Sequence, residues 1–173
     1  MICIGLDLAT KRTGCCILND GNLVHYECIT PDEEGLDFRD RIRCISGKIE
    51  SIIVNFSPDE MFIEDAPIIH NSSASMLLIM HGYVLGIADR YAIPVEIFEP
   101  CSWRKTIGIV GKNGKEALKK EFVKQATVDY VNARFGLNLI YIPNEKKNEA
   151  KSQDDIADSI GIACCGIARK QNG

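Results

Sequence analysis

Apolar positions fall in short blocks at first and then change period. Residues 2–8, ICIGLDL, are almost continuously apolar and too short for a helix, the pattern of a buried strand. ATKRTG predicts a turn and residues 14–18 a second strand. NDGN at 19–22 is a hairpin signal, because Asp-Gly supplies positive φ, and residues 23–30, LVHYECIT, complete an antiparallel meander. After the loop TPDEEGLD the spacing becomes helical: from Phe38 to Asn55, Ile42, Ile45, Ile49, Ile52 and Ile53 form one stripe. SPDE resets the chain before a short fourth strand at 61–64, MFIE. DAPIIHNSS is a loop, a helix follows near 73–91, and VEIF at 95–98 is a fifth strand ended by Glu-Pro. Residues 100–114 predict a loop rich in Gly and Lys, and 115–135 a basic amphipathic helix. The polar stretch GLNLIYIPNEKKNEAK predicts irregular chain. The last helix is expected from Ser152, since SQDD places a capping serine three residues before Asp155 and puts acids at the positive helix end.

The resulting order, βββαβαβαα, predicts an α/β fold. Three antiparallel strands precede two that are reached through helical crossovers, so the five-stranded sheet is mixed and carries helices on both faces. A length of 173 residues suits a single domain spanning 1–173, and no repeat, low-complexity tract or long linker divides it. No apolar run reaches about 18 residues and no basic segment leads into an apolar one at the N-terminus, so neither a membrane span nor a secretory signal is expected. The eight cysteines include no C-x-x-C pair; Cys15–Cys16 and Cys164–Cys165 sit inside apolar runs. That pattern predicts reduced core thiols in a cytoplasmic protein. The spacing does not suit zinc, and His25, His70 and His81 form no ligand pattern.

Charge changes the picture. The net charge of −4 argues weakly against nucleic acid, but the charges are segregated. Residues 101–125 hold Arg104, Lys105, Lys112, Lys115, Lys119, Lys120 and Lys124 against Glu116 and Glu121, a local charge of +5. Blocks of lysine are often only solvated surface. In this chain they are also the candidate phosphate contacts.

One acid, Asp7, interrupts the first apolar run, where an unpaired buried carboxylate would cost several kcal/mol, roughly. Glu64 ends the fourth strand as Asp7 nearly ends the first, and parallel neighbours put such ends on one sheet edge. Asp155 and Asp158 are i,i+3 on the last helix and share a face. Ile156, Ile160, Ala163, Cys164 and Ile167 form the face expected to pack on the sheet, leaving the acidic turn at its end. Singly, Asp7 suits a strand-end turn, Glu64 and Asp65 a solvated loop, and Asp154, Asp155 and Asp158 a helix N-terminus. Together, converging without a basic partner, four carboxylates would repel, and two Mg²⁺ ions about 4 Å apart would relieve that and place a water for attack on a phosphodiester. Oxygen-only ligands suit Mg²⁺ or Mn²⁺ over zinc.

IGLDLATKRTG, FIEDAP and SQDDIADSIGIA resemble the three acidic motifs of RuvC-type Holliday junction resolvases, within the ribonuclease H-like nuclease superfamily. The resemblance runs from about residue 2 to 168 and carries the family's metal ligands onto Asp7, Glu64, Asp155 and Asp158. It implies a homodimer that binds four-way and other branched DNA and nicks symmetric strands with Mg²⁺. WRKTIGIVGKNGKEALKK resembles the family's basic loop and helix, whose lysines face the scissile phosphate; by position these are Lys105 and Lys115, with Lys112 a further candidate. Two departures mark a divergent member, such as a phage-encoded one. Pro67 stands where bacterial members often carry a wedging aromatic, leaving Ile68, Ile69 or His70 for that role, and YIPNEKKNEAKSQ is long and polar. Coupling to the bacterial branch-migration proteins stays open.

Other classes fit less of the chain. DLATKRTG also resembles the first phosphate loop of actin-like ATPases, but those need a second loop and a second lobe. A nuclease of the same fold acting on general branched DNA or RNA–DNA hybrids is the alternative. A non-catalytic DNA-binding module would not need four convergent acids. The helix at 73–91, with Leu78, Gly82, Leu85 and Gly86, offers a surface for a dimer.

Overall fold

Within β1 (Ile2–Asp7), Ile4 and Leu6 face one apolar layer and Cys3 faces another. β2 (Thr13–Asn19) divides the same way, Cys15 and Ile17 to the first layer, Cys16 and Leu18 to the second. Strands buried on both faces have no reason to alternate apolar with polar, which explains the near-continuous runs. The computed structural model of the chain describes residues 1–66, 72–109, 120–143 and 152–172. Asp20 and Gly21 adopt φ of 50° and 81° and turn β2 into β3 (Asn22–Ile29), matching the strand twist as a hairpin requires.

α1 (Phe38–Phe56) starts at Asp37, whose carboxylate accepts from the Asp40 N–H at 2.9 Å, and ends where Ser57 turns left-handed at φ 46°. Its isoleucine stripe packs on the first layer, as do Met80, Val84, Ile87 and Ala88 of α2 (Ser72–Arg90). β4 (Glu60–Glu64) and β5 (Val95–Phe98) complete the sheet, in the order β3-β2-β1-β4-β5. β1, β2 and β3 pair antiparallel, whereas β4 runs parallel to β1 and β5 parallel to β4. Every expected strand is present within one residue at either end. The mixed five-stranded α/β sheet is therefore as the sequence predicts.

Two expectations are corrected. Residues 100–106 were expected in a loop, but they form a short helix, α3 (Pro100–Thr106). Proline ends a strand yet is pre-organised for the first helical position. Seven residues cannot hold a helix alone, and the complete burial of Trp103, worth about 3 kcal/mol, anchors this one. The last helix, α5 (Asp154–Asn172), begins two residues after Ser152. The Gln153 carbonyl accepts its first bond, from the Ala157 N–H, while the Ser152 hydroxyl bonds Asp154 and accepts from the Ile142 N–H. Of the basic helix expected at 115–135, the described part is α4 (Lys120–Phe135); residues 115–119 lie outside the described residues.

α3, α4 and α5 cover the second face, where Trp103, Val128, Val131, Ile156, Ile160 and Ala163 meet Cys16, Leu18, Phe62 and Phe98. All eight cysteines are free thiols, and burial pushes Cys3, Cys15 and Cys16 up so that they stay protonated. Among the described residues no helix is long and apolar enough to cross a membrane.

Candidate active site

The parallel register of β1 and β4 pairs Leu6 with Ile63, so Asp7 and Glu64 follow side by side at the strand ends. The start of α5 is pressed onto the same edge, because Gly14 lets the Asp155 carbonyl, and Gly5 the Ser159 carbonyl, approach the sheet closely. This docking brings in Asp155 and Asp158. Asp7 is shifted well above the usual carboxylate range, first by loss of hydration and then by the charges of Asp158, Glu64 and Asp155; Lys124 opposes the shift. Asp158, which is 4% exposed, is pushed up to about 6 by burial; Arg104 and Lys124 oppose this while Glu64 and Asp155 add to it. The charges of Glu64 and Asp155 thus bear on both Asp7 and Asp158.

They are not without basic neighbours. Arg104 Nη1 lies 3.3 Å from Glu64 Oε2 and Nη2 3.2 Å from Asp158 Oδ2. Arg12, in the turn between β1 and β2, places Nε 3.0 Å from Asp155 Oδ2 and donates from Nη2 to the Ser152 carbonyl at 2.7 Å. Lys124 pairs with Asp154, which the Ser152 hydroxyl also bonds. Trp103 Nε1 donates to Glu64 Oε2 at 2.5 Å, and the Arg104 guanidinium stacks 4.1 Å from the centre of the same indole.

Of the basic residues singled out in the sequence, Arg104 and Lys124 face carboxylates, and Lys105 is exposed on α3. Lys120 is the first residue of α4. Lys112, Lys115 and Lys119 lie outside the described residues, as do Pro67, Ile68, Ile69 and His70. Sequence reasoning missed Trp103, Arg12 and the Lys124–Asp154 pair. A signal for the first was present, since Trp103 is the only tryptophan and adjoins the basic block.

Among the described residues no three His, Cys, Asp or Glu side chains enclose an ion as they stand. Arg104 lies against both Glu64 and Asp158, and Arg12 holds Asp155. The donor set nonetheless fits a hard divalent cation: it is all carboxylate, and Asp158 Oδ1 is buried with no hydrogen-bond partner among the described residues.

The sheet order, with helices on both faces and acids at the shared ends of β1 and β4, defines a ribonuclease H-like α/β fold. Within that class the chain is similar in sequence and in fold to proteins named RuvC. The crossover junction endodeoxyribonuclease RuvC of Chlorobium chlorochromatii is 27% identical over 176 residues, covering 99% of this chain and 82% of that protein. The enzyme of the same name from Ruminiclostridium cellulolyticum is 25% identical, covering 95% and 90%. The structure of T. thermophilus RuvC in complex with Holliday junction substrate superposes with a TM-score of 0.73 at 18% identity, covering all of this chain and 96% of that one. A second Thermus thermophilus RuvC structure gives 0.72 at 19% identity, with 97% of that chain covered. No family model matches the chain.

Proposed function

We propose that this chain is a structure-selective endodeoxyribonuclease that resolves Holliday junctions and related branched DNA by metal-dependent, symmetric nicking, as one nuclease domain spanning 1–173. The observation that carries the reading is that the β1–β4 register sets Asp7 beside Glu64 while Arg104 lies between Glu64 and Asp158, so that acids from three distant segments meet at one sheet edge. The end-to-end similarity to proteins named crossover junction endodeoxyribonucleases supports it.

The four acids would hold Mg²⁺, two ions with Mn²⁺ able to substitute, and bound there the metal would activate a water and neutralise charge developing on the scissile phosphate. Trp103 orients Glu64 through its indole N–H. Asp158 Oδ1, buried and unpartnered among the described residues, keeps a lone pair for the ligand role. Lys105 and Lys115 would face the phosphate under attack and stabilise its charge. Lys112, Lys119 and Lys120 would contact phosphates of the arms. Arg104 and Lys124 would reach phosphate only by leaving the carboxylates they pair with.

Nicking two strands symmetrically needs two sites, which a homodimer would supply. α2 offers the surface: Leu78, Ile79 and Tyr83 are 53%, 47% and 45% exposed, and Gly82 and Gly86 border open space. Leu85, singled out from the sequence for this face, packs against the core instead. The setting would be the cytoplasm of a bacterium, or of a bacterial host if the chain is phage-encoded.

The test compares nicking of a synthetic four-way junction, a flap and an RNA–DNA hybrid in Mg²⁺. Paired, symmetric nicks in the junction are expected, lost in Asp7→Asn, which still binds the junction in Ca²⁺. Full activity of Asp7→Asn refutes the site; faster cutting of the hybrid establishes the alternative substrate.

A further inference from the structure

The acidic cluster contains a cation of its own. The Arg104 side chain is 14% exposed, with one terminal nitrogen against Glu64 and the other against Asp158. Trp103 supplies both a floor for this guanidinium and a hydrogen bond to the same Glu64 oxygen. The indole is itself seated in α5, where a β-carbon on Gly161 would lie 2.6 Å from its ring. The arrangement is incompletely satisfied. Arg104 Nε and Asp158 Oδ1 are both buried without a hydrogen-bond partner among the described residues, and Arg104 makes single contacts to two acids where its planar fork could hold one in two bonds. A guanidinium carries one charge, whereas the two carboxylates it lies between, Glu64 and Asp158, carry two when ionised.

We propose that Arg104 is the resident counter-ion of this cluster, held over Trp103 between Glu64 and Asp158, and that a divalent cation binds only by displacing its guanidinium. The inference rests on the metal-dependent reading above. Arg104 is on this account a positioning residue: it keeps Glu64 and Asp158 from repelling each other in the metal-free chain and competes for the same oxygens when metal arrives. The competition has a direction. Removing a positive charge at contact distance from the ligands favours a divalent ion by about tenfold in affinity, on the scale of Coulomb attraction in a hydrated site.

Trp103, the only tryptophan, bonds one acid and lies under the guanidinium, so its emission reports on both. The full chain is titrated at pH 8 and low ionic strength, with Mg²⁺ followed by tryptophan emission and Mn²⁺ by the electron paramagnetic resonance of the free ion. Wild type is expected to show a saturable emission change. Arg104→Gln is expected to bind Mn²⁺ about tenfold tighter with a smaller emission change, and Arg104→Lys to fall between. Equal Mn²⁺ affinity of wild type and Arg104→Gln, within twofold, overturns the proposal and leaves the metal site standing. So does Mn²⁺ binding to wild type that leaves Trp103 emission unmoved through the Mg²⁺ titration. If neither protein binds Mn²⁺ at millimolar concentration, the metal-dependent reading itself fails, and the proposal with it. Should Arg104→Gln not fold, the wild-type emission titration and Arg104→Lys decide the question.

Discussion

The backbone carbonyl of Asp155 lies 1.8 Å from the point that a β-carbon on Gly14 would occupy. The first turn of α5 therefore rests directly on β2, and that contact delivers two of the four acids to the sheet edge.

Gly14→Ala is accordingly expected to destabilise the chain by about 3 kcal/mol or more, because the obstructing atom is backbone and cannot turn aside. Gly47→Ala is the counterpart: Gly47 sits in α1 with open space around it, so alanine should stabilise by about 0.5–1 kcal/mol through helix propensity. Urea unfolding of both variants checks the pair. A mild Gly14→Ala would show that α5 can lift from the sheet at little cost.

Stability of the metal-free chain is expected to fall as the pH rises from 5 to 7.5. Asp158 titrates at about 6 against an ordinary 3.8. Between those values the folded chain binds more protons than the unfolded one, so this contribution is complete below 3.8 and lost on rising through about 6. Asp7 is shifted in the same direction. The loss between pH 5 and 7.5 should be about 1 kcal/mol for Asp158. Asp32 and Asp37 act oppositely, held below the ordinary range by the Lys48 and Asp40 N–H bonds, but only below about pH 4. Urea titrations across pH should show the decline in wild type and a flatter profile in Asp158→Asn.

The lysines of the basic block should separate into classes. Lys105→Ala should cut the single-turnover rate by about 10²-fold while changing junction binding less than about tenfold. Lys119→Ala should weaken binding to every branched substrate and lower the salt slope by about 1. Lys124→Ala should lower it by less, since Asp154 holds that ammonium in the free chain. Fluorescence anisotropy in Ca²⁺ over a salt series, with cleavage in Mg²⁺, distinguishes these outcomes. Equal losses of rate and binding in Lys105→Ala would make it a phosphate tether.

A dimer through α2 should be sensitive to charge in its exposed apolar stripe. Leu78→Asp is expected to yield monomers in sedimentation velocity, with single nicks replacing paired ones in a cruciform plasmid. An unchanged dimer would place the interface elsewhere.

Local pattern alone determined the five strands and the longer helices. Short, nearly continuous apolar runs bounded by turn residues and the isoleucine stripe of α1 depend on near neighbours, so five strands and their hairpin could be placed from the chain alone. Asp7, Glu64, Asp155 and Asp158 were legible as candidates because each acid interrupts, ends or begins an apolar segment. Tertiary structure decided which cations join them. Arg104, Lys105 and Lys124 belong to one basic block in the sequence, yet helix formation at Pro100–Thr106 rotates successive residues by about 100°, turning Trp103 and Arg104 inward and Lys105 outward. Pro100 suits its first position, but seven residues do not hold a helix by themselves, and the anchor is a tryptophan buried against α5. Likewise Arg104 finds Asp158 only across 54 residues of chain. Charge is a property of the residue, but its partner is set by which distant segments the core packs together.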